Sequence, residues 1–431
     1  MSQTLKAVRG TRDLLPPETA LWNRIEATAR DVFARYNFGE IRTPVFEDTA
    51  LFARGVGEET DIVSKEMYTW EDRARAQSEK TQSLTLRPEN TAGVVRAAIE
   101  HNLFESGQLQ KLYYIGPQFR RERPQKGRYR QFSQIGAEVI GPPSSGSESP
   151  LRDAEILEML AHLLDELGIT GWTLELNSVG SAADRERYNQ ALRAALVPVV
   201  SQMCADCQRR AVTNPLRVLD CKIPADQPII ETLPVIADSL DDTSRAHFAA
   251  VTTALDAAGV PYKLNHRLVR GLDYYTRTTF EFTHGGLGAQ NALLGGGRYD
   301  GLSEAIGGPR APGIGFAMGE DRLVLTLLAR ESTKPQMAEA FIAPLGENLN
   351  AAALVLAREL RHQGLWIELG EGSFRLKKSF EAADKIARHI VILGEDELKS
   401  GILTVKNFST GIQTKVSRSE LAVFLAEHPR E

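Results

Sequence analysis

Between Arg120 and Arg130 the sequence RRERPQKGRYR sets six basic residues against one acid. Alternate side chains of an extended strand share a face. Gln118, Arg120 and Glu122 therefore point one way before this run, and Phe132, Gln134, Glu138 and Ile140 point together after it. One face thus gathers a guanidinium suited to phosphate or carboxylate, two carboxylates, an amide and an aromatic ring. A wetted sheet face could carry the same pattern. Glu138 and Gln134, however, lie in a Gly- and Ile-rich stretch, where a buried acid is costly without partners, which points to a ligand or a cation.

A second candidate is GIGFAMGEDRL, Gly313 to Leu323, a strand of small residues running into a helix with Arg322 in its first turn. Free N–H groups at a helix start and an arginine beside them suit a phosphate, although a packing strand with a surface arginine explains the pattern equally well. GGGRYDGL, Gly295 to Leu302, has neither the Lys-Ser/Thr ending of a P-loop nor the GxGxxG spacing. Cys204-x2-Cys207 with Cys221 could suggest zinc, but three thiols and no nearby histidine leave a tetrahedral set one ligand short. No metal site is expected, and an odd number of cysteines in a long chain predicts reduced thiols.

The elements that must hold these residues can be read around them. Leu21, Trp22, Ile25, Ala29, Val32, Phe33 and Tyr36 recur at helical spacing after Pro16-Pro17, with Gly39 placed to end the helix. Ile41 to Glu47 reads as an edge strand because Pro44 cannot donate to a ladder. Strands are expected at Lys111–Gly116, Gln131–Gly141, Thr173–Leu176, Tyr262–Leu264, Thr278–Phe282 and Gly313–Met318, with helices at Arg152–Leu167 and Glu320–Ala329. Residues 181–258 read as a mostly helical insertion within a first domain, 1–330. After a polar linker, 331–337, strands at Phe341, Ile367, Ile390 and Leu403 alternate with helices Ala351–Gln363 and Arg375–Ala387, giving a small α/β domain over 338–431. Its second helix is expected to carry Arg375, Lys377, Lys378, Lys385 and Arg388.

A chain of 431 residues, 42% hydrophobic, can bury more than one core, which excludes a single small binding module. With 51 Lys+Arg against 56 Asp+Glu, bulk charge gives no reason to bind a polyanion, so any RNA surface must be local. The opening MSQTLKAVRGTRDLLPPE has no leader-like apolar stretch, and no segment reaches the ~18 apolar residues of a membrane span. A soluble, cytoplasmic protein without membrane contact is expected.

Arg120-Arg121-Glu122 followed by Phe132 resembles motif 2 of the class II aminoacyl-tRNA synthetases, Gly315 to Arg322 resembles motif 3, and Pro44 after the long helix matches motif 1. LVRGLDYYT, Leu268 to Thr276, and GGGRYDGL resemble the two histidine signatures of the histidyl-tRNA synthetase family, and LRPENT, RPQKGRYRQF and LGEDELKSG add to a likeness that spans nearly the whole chain. The fold this implies is α+β: a catalytic domain built on an antiparallel six-stranded sheet flanked by helices, a helical insertion and a C-terminal α/β anticodon-binding domain. The implied activity is ligation of histidine to tRNA(His) through histidyl-adenylate, with ATP as substrate, Mg2+ alongside and a homodimer formed through the motif 1 region.

Residue by residue, the resemblance makes Arg120 the clamp on the α-phosphate and substrate carboxylate, and Arg322 the partner of the γ-phosphate. Glu122 would bind the adenine amino group and Phe132 would stack on the ring. Glu89, Thr91 and Gln134 would hold the α-amino and carboxylate ends of histidine; Glu138 and Tyr275 would meet the imidazole nitrogens, with Tyr274 and Tyr299 beside them. Arg270 is similar to the arginine that in this family sits where other class II enzymes place a metal ion. Arg123, Gln125 and Lys126 would meet the tRNA acceptor end, where the family reads an extra 5′ guanosine, and Lys378 and Arg388 would face the anticodon. Asn90 and Ser133 depart from the more usual glycine and histidine. Two rivals share these motifs: a regulatory relative that keeps the fold without the chemistry, and a class II ligase for another amino acid. Retention of Arg120, Arg270 and Arg322 speaks against the first, and LVRGLDYYT against the second.

Overall fold

The computed structural model describes residues 4–58, 60–72, 81–125, 127–287, 291–330 and 337–427, in two compact units, Met1–Ser332 and Thr333–Glu431. Among the described residues no helix is long and apolar enough to cross a membrane.

The first unit opens with α1 (Glu18–Arg35), which buries Leu21, Trp22, Ile25, Ala29, Val32 and Phe33. Its end differs from the sequence expectation. Asn37 takes the left-handed turn at φ 63°, a conformation asparagine tolerates, and Gly39 instead opens strand β1 (Gly39–Glu40). Of the strand expected over Ile41–Glu47, only the end, Phe46 and Glu47, forms. Pro44 lies in irregular backbone between β1 and β2 (Phe46–Asp48), and β2 joins a separate antiparallel sheet with β3 (Tyr68–Asp72) and β4 (Gln82–Leu86) in the order β2-β4-β3. α2 (Thr49–Val56) and α3 (Thr91–Glu100) follow β2 and β4.

The main sheet comprises β1, β5 (Gln110–Phe119), β6 (Gln131–Ile140), β7 (Trp172–Ser178), β8 (Tyr262–Leu264), β9 (Thr276–His284), β10 (Ala292–Arg298) and β11 (Gly313–Gly319). Their spatial order is β1-β5-β6-β11-β10-β9-β7-β8. The run from β5 to β7 in that order is antiparallel throughout, and β1 and β8 pair parallel at the two edges. β5 and β10 exceed the expectation: β5 is longer, and β10 carries the glycine run whose weak strand propensity hid it.

Period-two alternation divides this sheet into two faces. Tyr113, Ile135, Ala137, Val139, Phe280, Phe282, Ile314, Phe316 and Met318 pack into one core with α1, α4 (Pro150–Glu166) and later helices. The opposite face presents Gln134, Glu138, Glu281, Gly295, Gly315 and Gly319. Between β7 and β8 run α5 (Ala182–Leu196), α6 (Ala205–Thr213), α7 (Gln227–Glu231) and α8 (Asp242–Ala258). Tyr188, Leu192, Cys207, Val218 and Ile230 form a separate small core there, whereas Val251 and Leu255 of α8 belong to the main one. α9 (Leu302–Ala305) and α10 (Glu320–Leu328) complete the unit.

Arg298, within the GGGRYDGL stretch, has a structural task. Its fully buried guanidinium meets Asp153 of α4 at 2.8 Å, and Asp153 also bonds His247 of α8 at 2.8 Å and accepts from Thr278 Oγ1 of β9 at 2.6 Å. This network ties β10 to two helices behind the sheet.

The second unit is a five-stranded sheet ordered β13-β12-β14-β15-β16, from β12 (Ala338–Pro344), β13 (Ile367–Leu369), β14 (Ala387–Leu393), β15 (Ile402–Asn407) and β16 (Gln413–Ser417). α11 (Asn350–His362) follows β12, and α12 (Leu376–Ile386) precedes β14. Arg388 therefore stands on β14 and not on the helix as expected: the amphipathic pattern of α12 stops at Ile386, and the buried Ala387, Ile390 and Val391 carry the chain into the sheet.

Candidate active site

Glycines on the polar face of the main sheet make room for long side chains to lie flat across it. A Cβ at Gly315 of β11 would overlap the Glu138 carboxylate, one at Gly295 of β10 would overlap the Arg270 guanidinium, and one at Gly297 would press on the Tyr275 ring at 2.8 Å. These short-range requirements explain why two neighbouring strands are so rich in glycine.

Above this floor opens a cavity of 540 Å³ lined by Arg120, Glu122, Phe132 and Gln134 from the β5–β6 hairpin, Arg270, Glu281 and Gly295 from the far side, and Arg322 from α10. β5 ends at Phe119, so Arg120 and Glu122 lie just past the strand, but one further ladder bond, Arg120 N to Arg130 O at 2.9 Å, keeps the loop root in register. The Arg120 guanidinium donates through Nε to Pro88 O at 2.9 Å and lies 5.3 Å from the centre of the Phe132 ring. Glu122 accepts from Arg128 at 3.1 Å, and Arg270 donates to the Glu281 carboxylate at 2.5 Å. Arg322 donates to Ala292 O at 2.5 Å.

Burial lowers the Arg322 pKa, and the neighbouring Arg128 and Arg270 push it the same way. Mutually repelling guanidiniums around one cavity favour an anion between them. Gln134 Oε1 and Arg270 Nε are buried there without a hydrogen-bond partner among the described residues, as expected of groups that await a polar ligand.

Beside the cavity a second cluster is closed and densely bonded. Glu89 accepts from the N–H groups of Thr91 at 2.7 Å and Ala92 at 3.1 Å, using the start of α3 as a carboxylate site. Thr91 Oγ1 donates to Glu138 Oε1 at 2.8 Å, and Tyr299 OH donates to Oε2 at 2.6 Å. Tyr274 joins this cluster through ring contacts with Tyr275 at 4.7 Å and Tyr299 at 5.9 Å. Burial pushes the Glu138 carboxyl up from its ordinary 4.5 to about 8, against the pull of its two hydroxyl donors.

The structure thus gathers Arg120, Glu122, Phe132, Gln134, Arg270 and Arg322 on one cavity and Glu89, Thr91, Glu138, Tyr274, Tyr275 and Tyr299 in the adjoining cluster. Arg123 and Gln125 are exposed on the β5–β6 loop, where Gln125 pairs with Arg128, while Lys126 lies outside the described residues. Lys378 and Arg388 belong to the second unit, with Lys378 Nζ 3.7 Å from the centre of the Phe374 ring. Sequence reasoning missed Glu281 and Arg128. Glu281 was signalled by its place between Phe280 and Phe282, the core-facing residues of β9; Arg128 had no signal beyond its charge.

An antiparallel sheet with an arginine-lined, glycine-floored face in one unit, and an α/β sheet in the other, fit the architecture of a class II aminoacyl-tRNA synthetase. Comparison with known proteins refines this class. Residues 10–323 match the family described as "Histidyl-tRNA synthetase" and residues 339–428 the "Anticodon binding domain". A Koribacter versatilis protein named "Histidine--tRNA ligase" is 72% identical over 425 residues, covering 98% of this chain and 96% of that one. One of the same name from Solibacter usitatus is 55% identical, covering 98% and 99%. The apo structure of Staphylococcus aureus histidyl-tRNA synthetase superposes with a TM-score of 0.79 at 36% identity, over 98% of this chain and 100% of that one. The chain belongs to the histidyl-tRNA synthetase family.

Proposed function

We propose that the two adjoining clusters divide the ligation of histidine to tRNA, the activity of this family, between them. ATP occupies the arginine-lined cavity: Arg120 and Arg322 bind its α- and γ-phosphates, Phe132 stacks on adenine and Glu122 accepts from the adenine amino group. Glu281, a carboxylate on the cavity wall paired with Arg270, would be the residue to hold a Mg2+ ion that neutralises the ATP phosphates. Histidine sits against the buried cluster, its imidazole on Glu138 and Tyr275, its α-amino and carboxylate ends on Glu89, Thr91 and Gln134, with Tyr274 and Tyr299 closing the pocket.

A histidine carboxylate is ionised at neutral pH, so its attack on the α-phosphorus needs alignment and charge neutralisation and no general base. Arg120 and Arg270 supply both. The α-phosphorus–oxygen bond breaks, pyrophosphate leaves against Arg322, and histidyl-adenylate remains. The 3′-hydroxyl of the terminal adenosine of tRNA(His) then attacks the acyl carbon and AMP leaves. Arg123, Gln125 and Lys126 meet the acceptor end through base edges and phosphates, and Lys378 and Arg388 of the second unit meet the anticodon arm.

Two chains form a homodimer through the motif 1 region in the cytoplasm. Support for the pairing comes from Val45, Phe46 and Trp70, large apolar side chains exposed together near β2 and β3, with Phe46 edge-on to Trp70 at 6.0 Å.

The observation that carries the reading is the fully buried Glu138, laid across glycine next to a cavity ringed by arginines: a neutral-pH acid fit for an imidazole beside a site fit for phosphates. The test is charging of tRNA(His) with and without its extra 5′ guanosine. Histidine transfer that depends on that base and weakens on Arg123→Ala supports the loop's role; equal charging of both tRNAs contradicts it.

A further inference from the structure

We propose that Cys204, Cys207, Cys221 and Asp226 form a structural zinc site within the helical segment between β7 and β8. The ligand atoms of all four lie within 4.8 Å of one another. A tetrahedral zinc with Zn–S bonds of about 2.3 Å needs sulfurs about 3.8 Å apart and a sulfur-to-oxygen edge of about 3.5 Å. Cys204 Sγ and Cys221 Sγ are 3.9 Å apart, and Cys221 Sγ is 3.2 Å from Asp226 Oδ2. Asp226 is the fourth ligand that the cysteine spacing alone does not reveal.

The local geometry suits a bound cation. Cys204 is the N-cap of α6 and Cys207 lies in its first turn, so both sulfurs are held at one end of a single helix. The Cys207 N–H points at Cys204 Sγ (3.5 Å) and the Ile223 N–H at Cys221 Sγ (3.4 Å), the backbone support that zinc-bound sulfurs require. The Cys204 N–H donates to both oxygens of Asp226, at 3.1 and 3.2 Å, fixing the carboxylate's orientation. Asp226 is 1% exposed, and a cation between it and the sulfurs would neutralise its buried carboxylate. Cys204, at intermediate exposure, gives an ion a way in.

Such an ion would fasten together three pieces with little regular structure between them: the start of α6, the turn after Asp220 and the turn ending at Asp226. Asp220 and Lys222, the two neighbours of Cys221, line the 540 Å³ cavity, so the site would brace one of its walls.

The test measures metal in the full chain, purified without an affinity tag and without added metal. One zinc per chain is expected. Chelated protein should show a thiolate-to-cobalt charge-transfer band when cobalt is added, and zinc should displace it. Asp226→Asn keeps an acceptor for the Cys204 N–H and is expected to fold, yet to bind zinc about tenfold or more weakly; Cys221→Ser should lose the cobalt band. Wild-type protein with three titratable thiols, no zinc and no cobalt band would overturn the site, as would a Cys204–Cys221 disulfide in freshly purified protein, or an Asp226→Asn variant with unaltered zinc affinity.

Discussion

Replacing Glu138 with Gln should move activity and stability in opposite directions. Glu138 is fully buried and accepts from Thr91 and Tyr299; a glutamine can keep both contacts, because either hydroxyl can also accept from its amide. What it loses, above about pH 8 where the carboxyl is ionised, is the negative charge that meets the imidazole of histidine. A charge-assisted hydrogen bond contributes about 1.5–3 kcal/mol, so the KM for histidine should rise about 10- to 100-fold in ATP–pyrophosphate exchange run at pH 8.5. Stability follows from linkage. The folded carboxyl titrates near 8 and the unfolded one near its ordinary 4.5, so between these values the native state holds a proton that the unfolded state has released. Wild-type stability therefore falls as pH rises from 4.5 to 8, by about 5 kcal/mol at most. The glutamine variant carries no such loss. Denaturant unfolding at pH 8.5 should find it more stable than wild type, with the advantage shrinking towards pH 5. An unchanged histidine KM would remove Glu138 from the pocket, and a variant less stable at pH 8.5 would refute the burial argument.

Arg322→Ala should lower the rate of ATP–pyrophosphate exchange by about 10²- to 10³-fold, while the loss of its hydrogen bond to Ala292 O should cost only about 1 kcal/mol in chemical unfolding. Gly295→Ala is expected to cut the same rate while shifting the melting temperature little, because the added methyl meets only the movable end of Arg270; a normal rate would mean that Arg270 does not act from this position. Arg298→Leu leaves Asp153 buried beside a single histidine and should destabilise the first unit by about 3–5 kcal/mol in chemical unfolding, whereas an effect below about 1 kcal/mol would show that the network is dispensable.

Much of the site was legible because strand alternation is simple geometry: the polar side chains of β6 and the apolar Ile135, Ala137 and Val139 between them separate cleanly onto two faces. β10 was not legible as a strand, since glycines chosen for the clearance of Arg270 and Tyr275 carry no β-propensity of their own. Arg388 was placed on a helix because basic and apolar residues continue across the junction at Ile386, and only the sheet pairing of Ala387 with Ala338 shows where the helix gives way. Asp226 was invisible as a partner of the cysteines, because a lone acid five positions beyond Cys221 has no spacing signature until the turn folds back. The identity of the amino acid came from resemblance; the alternation alone separates a ligand face from a core face.

If the cavity and the Glu138 cluster together activate histidine, one substrate should drive the reaction. Amino-acid-dependent ATP–pyrophosphate exchange with each of the twenty amino acids tests it most directly. Exchange is expected with histidine and with no other amino acid. Exchange with a different amino acid, or none at all from folded protein, would contradict it.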